Sequence, residues 1–157
     1  MTAPILAKDI MATKLITLPP NIDVFDAIGL LLKHRISGAP VVEPHDGHFV
    51  GMFSEKDCMQ VIVKAAYEQI PTSEVFAYVS TNVHTVNEET DLLTIAQIFR
   101  DNSFRRVPVV RDGKLVGQIS RRDVLQAVHK LMAVAPANGS PLLYLSSLVD
   151  RTEAPIA

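Results

Sequence analysis

Apolar and polar positions occur in the same order twice along the chain. In each copy a short β-rich segment, Lys14–Leu18 or Val83–Val86, precedes an aspartate that is a candidate helix N-cap, Asp23 or Asp91. A helix-spaced run of apolar residues follows, then a hairpin with an Asp-Gly turn, then a second amphipathic helix. The first-helix apolar positions are Val24, Ala27, Ile28, Leu31 and Leu32 in one copy and Leu92, Ile95, Ala96 and Phe99 in the other. The pattern therefore predicts two β-α-β-β-α units of about 55 residues each.

The two copies align with each other over most of their length. Ala39-Pro40-Val41-Val42 corresponds to Val107-Pro108-Val109-Val110 at an offset of 68 residues, and Val50-Gly51 corresponds to Val116-Gly117 at an offset of 66. The difference falls at the hairpin turn, where length variation is best tolerated. One such unit is marginally stable alone, so we expect two copies packed sheet against sheet around a shared core. The predicted fold class is mixed α/β (α+β), with residues 8–68 and 69–132 as repeats.

The regions outside the repeats are short. The joining segment around Ile70–Glu74, at the start of the second repeat, contains Pro71-Thr72-Ser73. Residues 133–157 form a C-terminal tail in which Pro136–Pro141 is predicted to be a loop. Within this tail Leu142–Leu148 is apolar. It predicts either an added short helix that packs on the core or a strip that binds a partner.

Composition restricts the class of protein. Of the 157 residues 48% are apolar and the formal charge is −2, which favours a packed core and provides no basic footprint for nucleic acid. No apolar run approaches the ~20 residues of a membrane span, and the N-terminus lacks the pattern of a signal peptide. The single cysteine, Cys58, cannot form an internal disulfide. We expect a cytoplasmic protein with neither a nucleic-acid nor a membrane partner.

A Gly-x-x-Ser-x-x-Asp motif ends a strand and starts a helix in each copy, at Gly51–Asp57 and Gly117–Asp123. A helix N-terminus offers free N–H groups and a positive dipole end to an anion, and the serine hydroxyl adds a donor. The aspartate has two acceptor oxygens, which suit the paired hydroxyls of a ribose. The motif therefore indicates a nucleotide site. Taken alone, however, Ser-x-x-Asp at a helix start fits a capping box better than a ligand site.

Other candidate chemistry is weaker. His45 and His48 form a His-x-x-His pair in a hairpin loop without a third metal ligand placed by spacing, so we interpret them as an incidental surface pair. Cys58 occupies an apolar helical position and is interpreted as a buried small hydrophobe. Met52, Met59 and Met132 are interpreted as core residues. The chain has neither a P-loop nor a Gly-x-Gly-x-x-Gly loop, and no nucleophile with a matched base, so we expect no enzyme activity, metal site or required cofactor.

Two such units, each with x-Pro-Val-Val, Asp-Gly, Val-Gly and the Gly-x-x-Ser-x-x-Asp motif, are similar to a cystathionine-β-synthase (CBS) domain pair, also called a Bateman module. The resemblance covers residues 8–132, and the sequences of His34–Val42 and Ser120–Val124 are typical of the family. It implies pseudo-two-fold symmetry, with two clefts between the repeats. It also implies an adenine nucleotide (AMP, ADP or ATP) or S-adenosylmethionine as ligand, a homodimer, and a regulatory role.

The resemblance also implies binding roles for particular positions. Related pairs often have a basic residue two before the proline, facing the phosphates, where the second copy has Arg106 and the first has Gly38. The better anion site is therefore expected beside Ser120, where arginines can grip a phosphate in bidentate fashion. Arg121 and Arg122 belong to this expected cluster, although a helix start also suits them as solvated residues. The remaining implied contacts are Asp57 and Asp123 with ribose, Ser54 and Ser120 with phosphate, Ala39, Val41, Val107 and Val109 with adenine, and Thr17 and Thr85 where each repeat begins.

The leading hypothesis is a stand-alone regulatory module that senses an adenosyl ligand and acts on an unknown protein partner. The alternative is a structural module that dimerises or binds proteins without a ligand. Gly38 and the capping-box interpretation of the motif both favour this alternative.

Overall fold

The computed structural model describes residues 3–69, 73–134 and 145–146. Its helices are α1 (Ala7–Ile10), α2 (Val24–His34), α3 (Glu55–Glu68), α4 (Leu92–Asp101) and α5 (Arg121–Ala133), with a 3₁₀ turn at Val75–Ala77. Strands β1 (Gly38–Val42) and β2 (Phe49–Ser54) form one antiparallel hairpin, and β3 (Arg106–Arg111) and β4 (Lys114–Ser120) form the other. The predicted fold class, mixed helix and strand, is confirmed. The expected apolar helix or strip at Leu142–Leu148 lies outside the described residues except for residues 145 and 146.

Two compact units make up the chain. The first-repeat unit comprises Lys14–Thr85 and Val110–Val116, and the second-repeat unit comprises Met1–Thr13, Val86–Val109 and Gly117–Ala157. Each unit thus contains chain from outside the repeat predicted for it. Among the described residues, no helix combines the length and the apolar character required to cross a bilayer.

The segments that precede each repeat account for much of the chain that each unit takes from outside its predicted repeat. We call residues 5–12 and 73–80 the leading segments; residues 5–12 pack in the second-repeat unit and residues 73–80 in the first-repeat unit. Their apolar anchors, Ala7 and Val75, are fully buried. In the second-repeat unit the amide of Ala7 donates to Thr90 O (2.7 Å) and the amide of Leu92 donates to Ile5 O (2.8 Å). In the first-repeat unit the aligned bonds, offset by 68 residues, are Val75 N to Ile22 O (2.9 Å) and Val24 N to Ser73 O (2.9 Å). The repeat therefore extends upstream of the predicted units.

The predicted β-rich segments contribute one bridging residue each to the sheets. Leu18 and Val86 each form a parallel bridge to the first strand of the hairpin that follows. Pro19 and Pro20 come directly after Leu18, and proline lacks the N–H that a longer ladder would need. After Val86 the chain turns, and the side-chain oxygen of Asn87 accepts a hydrogen bond from the amide of Glu89 (2.8 Å). The first strand of each predicted unit is therefore a single bridge.

Both predicted N-caps are confirmed. The carboxylate of Asp23 accepts from the amide of Phe25 (2.9 Å), and that of Asp91 accepts from the amide of Thr94 (2.7 Å). The assignment of Met59 to the core is wrong, because this residue is 57% exposed, and Leu32, which belongs to the apolar pattern predicted for α2, is 74% exposed. A helix turns by about 100° per residue, so each falls outside the buried stripe on its helix. The buried residues are Val24, Ala27 and Leu31 in α2 and Cys58 and Val61 in α3.

The two hairpin turns explain why Val110–Val116 belongs to the first-repeat unit. Asp112 and Gly113 both have positive φ (51° and 78°), as a two-residue hairpin turn requires. This turn pairs with the longer β1–β2 loop: Phe49 N donates to Gly113 O (2.8 Å), and Leu115 N donates to Gly47 O (3.2 Å). The two-residue length difference between the repeats therefore lies in a loop that carries its own backbone pairing.

Gly51 and Gly117 let the leading segments approach β2 and β4 closely. A Cβ at Gly51 would collide with the carbonyl oxygen of Ser80, and a Cβ at Gly117 would collide with the Sδ of Met11. The carbonyl belongs to a backbone bridge between Met52 and Ser80, whereas the methionine side chain can change rotamer. A substitution by alanine therefore meets rigid backbone at Gly51 and an adaptable side chain at Gly117.

We predict that Gly51→Ala lowers the free energy of unfolding by about 1–3 kcal/mol, because the Ser80 backbone must shift to admit a methyl group. The matched variant Gly117→Ala should lose less than about 1 kcal/mol, since Met11 can repack. Urea unfolding of both variants and the parent protein measures the difference. Equal losses would contradict the distinction between the two obstacles.

Candidate functional site

The two Ser-x-x-Asp motifs begin helices α3 and α5. In α5 the Oγ of Ser120 accepts from the amide of Asp123 (3.1 Å), and the Asp123 carboxylate accepts from the amide of Ser120 (2.8 Å). In α3 the Asp57 carboxylate accepts from the amide (2.8 Å) and from the hydroxyl (3.0 Å) of Ser54. The capping-box interpretation is confirmed in α5, where both reciprocal bonds are present, whereas in α3 the aspartate caps the Ser54 amide and the serine hydroxyl donates to the same carboxylate.

The two aspartates differ at their second carboxylate oxygen. Both use Oδ2 for capping. The Oδ1 of Asp57 accepts from the hydroxyl of Ser80 (3.2 Å). The Oδ1 of Asp123 has no hydrogen-bond partner within residues 3–69 and 73–134. Asp123 therefore combines a capping role with an unused acceptor, while the Asp57 carboxylate is engaged at both oxygens.

A groove in the second-repeat unit reaches Asp123. Its cavity volume is about 430 Å³, and it lies between the leading segment and α5. It is lined by Ile5, Asp9, Ile10, Asp123, Gln126, Ala127, Lys130 and Leu131. Aliphatic side chains form the groove walls, and charged groups of both signs lie among them. Such a surface suits a ligand that has an apolar body and polar substituents.

Basic residues lie at the start of α5 and at the start of β3. Arg121 and Arg122 are exposed and occupy the first two positions of the helix, where the unsatisfied amides and the helix dipole also favour an anion. Arg106 opens β3, is half-buried and is engaged by other groups in the structure. The first-repeat unit has Glu55 and Lys56 at the positions equivalent to Arg121 and Arg122, and Gly38 in place of Arg106. Positive charge is therefore more concentrated in the second-repeat unit.

The predicted adenine contacts lie inside the two cores. The side chains of Ala39, Val41, Val107 and Val109 are fully buried. These residues present no accessible surface to a ligand in this structure, so their adenine contacts remain a prediction. Thr17 and Thr85 are exposed and stand one residue before the bridging residues Leu18 and Val86.

Gln118 is a polar residue near the motif that the sequence pattern did not single out. It lies in β4 two residues before Ser120, and its backbone is paired with Ala12 through bonds of 3.0 Å and 2.9 Å. Its side-chain Oε1 is buried and has no partner within the part of the chain that the structure describes. The equivalent residue of the first repeat is Met52, which offers no amide. This contrast between the aligned repeats is the sequence signal that could have identified Gln118.

Comparison with protein families assigns the fold. The family model of the CBS domain matches the chain twice, at residues 7–64 and 73–130. The chain belongs to the CBS domain family. An uncharacterized 17.7 kDa protein of Acidianus ambivalens is 33% identical over 134 residues, which cover 83% of this chain and 79% of that protein. A Methanocaldococcus jannaschii protein is 31% identical over 120 residues, and the match spans 76% of this chain but only 41% of that relative.

Two solved CBS pairs that hold adenosyl compounds are similar to this chain. CBSX2 from Arabidopsis thaliana, in complex with AMP, has a TM-score of 0.70 and 27% identity, covering 80% of this chain and 97% of that one. The CBS domain pair of protein MJ0100, in complex with 5′-methylthioadenosine and S-adenosyl-L-methionine, has a TM-score of 0.65 and 26% identity, covering 82% and 98%. These similarities confirm the family resemblance deduced from the repeated motifs.

The remaining candidate groups of the CBS repeats take no part in the site. Cys58 is buried in the core of the first-repeat unit, as expected. Burial raises the pKa of its thiol, and the nearby carboxylates of Asp57 and Glu55 raise it further. In the hairpin loop the amide of His48 donates to Asp46 (2.9 Å) and lowers the pKa of that carboxyl. Within the described ranges no three His, Cys, Asp or Glu side chains are grouped so that they could hold a metal ion.

We predict that Cys58 is alkylated slowly by iodoacetamide at pH 8. A raised pKa reduces the thiolate fraction at that pH, and burial restricts access of the reagent. The rate in the folded protein should be at least about tenfold below the rate in the protein unfolded in guanidinium chloride. Mass spectrometry of timed samples measures both rates. Equal rates would contradict the buried environment of this thiol.

Proposed function

We propose that this CBS pair is a regulatory module that binds an adenine nucleotide or another adenosyl compound, with its principal site at Ser120 and Asp123. The observation that carries the proposal is the Oδ1 of Asp123, which has no partner among the described residues and is held at the start of a helix whose first residues are arginines. The solved CBS pairs with AMP or S-adenosyl-L-methionine support the ligand class.

Each part of an adenosyl ligand has a chemical counterpart at this site. A ribose hydroxyl can donate to the Asp123 Oδ1 while Oδ2 continues to cap α5. A phosphate fits the amide-rich start of α5 beside Arg121 and Arg122, whose guanidinium groups offer paired donors. The aliphatic walls of the groove, which include Ile5, Ile10 and Leu131, suit the apolar faces of the adenine ring.

The module would act by changing what it presents to a regulated protein. A ligand shifts a conformational equilibrium only as far as it binds the two conformations unequally. We therefore propose a separate target protein as the partner and a homodimer as the working form. No catalytic step is proposed.

A second candidate function is a scaffold without a ligand. The capping boxes favour it, since they already account for both serines and for one oxygen of each aspartate. A thermal-shift titration with AMP, ATP and S-adenosylmethionine separates the two functions. A ligand that binds only the folded state raises the Tm with increasing concentration. No shift with any of the three compounds at millimolar concentration would favour the scaffold.

We predict that Asp123→Asn weakens ligand binding by at least about tenfold, because the hydroxyl bond to a charged acceptor is lost. Asparagine keeps one side-chain oxygen for capping and replaces the other with a donor, so the helix start is preserved. The matched variant Asp57→Asn should cause a smaller loss, since Ser80 already occupies its Oδ1. Isothermal titration calorimetry with the three compounds measures the losses, and equal losses would contradict the assignment of the principal site to Asp123.

A further inference from the structure

We infer that the Ser80 hydroxyl competes with ligand for Asp57. The second-repeat motif therefore binds ligand first, and the first-repeat motif binds it with lower affinity. This inference rests on the proposed function and adds to it the residue that sets the order of occupancy. It concerns a position outside the Ser-x-x-Asp motif itself.

Ser80 is held in place by its backbone. Its amide donates to Met52 O (2.8 Å), and its carbonyl accepts from Met52 N (3.0 Å). The same carbonyl lies so close to Gly51 that a Cβ there would collide with it. The leading segment therefore presents the Ser80 side chain to α3, and Oγ donates to Asp57 Oδ1 at 3.2 Å. Ser80 can release the carboxylate only by rotating its own hydroxyl.

The aligned position in the second-repeat unit is Ala12. Its amide donates to Gln118 O (2.9 Å) and its carbonyl accepts from Gln118 N (3.0 Å), which reproduces the Met52–Ser80 bridge at the matching place. A methyl group has no proton to donate. The Oδ1 of Asp123 correspondingly has no partner in the described part of the chain. The hydroxyl that is present at residue 80 and absent at residue 12 accounts for the difference in hydrogen bonding between Asp57 Oδ1 and Asp123 Oδ1.

This difference has a direct effect on affinity. A ribose hydroxyl that approaches Asp57 must displace the Ser80 hydroxyl from Oδ1 or share that oxygen with it, and either weakens the new bond. One that approaches Asp123 meets an Oδ1 without a partner in the described part of the chain. A hydrogen bond from a hydroxyl to a carboxylate changes an equilibrium by on the order of tenfold. Since Ser80 is exposed, its hydroxyl can find water after it is displaced, so the first-repeat site is weakened but not abolished.

The first experiment uses Asp123→Asn as the background, because weakening the second-repeat site makes a change at the first-repeat site measurable. Calorimetric titration with AMP should show that adding Ser80→Ala strengthens binding roughly tenfold relative to that background. Adding Ser80→Thr, which keeps the hydroxyl, should leave the affinity at the background value. Both substitutions are at an exposed position, and thermal unfolding verifies that the variants remain folded.

The second experiment is the reverse substitution at the other site. In an Asp57→Asn background, Ala12→Ser adds the missing hydroxyl at an exposed position and should weaken AMP binding roughly tenfold. Ala12→Val adds bulk without a donor and controls for a purely steric effect. A loss with valine equal to the loss with serine would overturn the inference.

The remaining outcomes also decide the question. Unchanged or weaker binding in Ser80→Ala would overturn the inference, and weaker binding would mean that Ser80 donates to the ligand instead. The parent protein is titrated first with AMP, ATP and S-adenosylmethionine. Binding to the parent without a response to Ser80→Ala overturns only the inference, whereas no binding of any of the three overturns the proposed function as well.

Discussion

Two backbone bridges, Met52 with Ser80 and Gln118 with Ala12, determine how the rest of each unit is arranged. They hold a leading segment against the last strand of a hairpin, so closely that a Cβ at Gly51 would collide with backbone and one at Gly117 would displace the Met11 side chain. This contact places Ser80 beside Asp57, and Ala12 occupies the aligned place in the second-repeat unit. The local chemistry of each site therefore depends on chain that is remote from the motif in sequence.

Capping and ligand binding are compatible at the same carboxylate. Because Oδ2 of Asp123 is bonded to the Ser120 amide, the orientation of the whole carboxylate is fixed before a ligand arrives. An acceptor that is already oriented loses little conformational freedom on binding, so more of the interaction energy is available for affinity. A capping box is thus a way to pre-organise the site, and its presence does not argue against a binding role.

Local signals made much of the fold predictable from the sequence. The N-caps Asp23 and Asp91 and the Asp112-Gly113 turn depend on residues that are neighbours in the chain, so their chemistry can be read directly. The leading segments could not be read in this way, because α1 is only four residues long and its partners lie about 80 residues away. The Ser80–Asp57 bond spans 23 residues and depends on the strand bridge, which no local pattern encodes. Leu32 is exposed although it fits the apolar spacing, because periodicity locates a buried stripe better than it locates the edges of that stripe. Met59 is exposed because an apolar residue type does not by itself require burial.

The exchange of leading segments means that neither repeat, as a continuous stretch of chain, contains its complete hydrophobic core. The core around Phe53 is completed by Val75 and Tyr78, which lie beyond the first matched stretch at residues 7–64. Ala7, at the start of that stretch, is buried in the unit built on the second repeat. Covalent connection keeps such complementary pieces at a high effective concentration. The boundary between the copies in the gene is therefore not a boundary between folding units, and a fragment cut there would leave part of its interior uncovered.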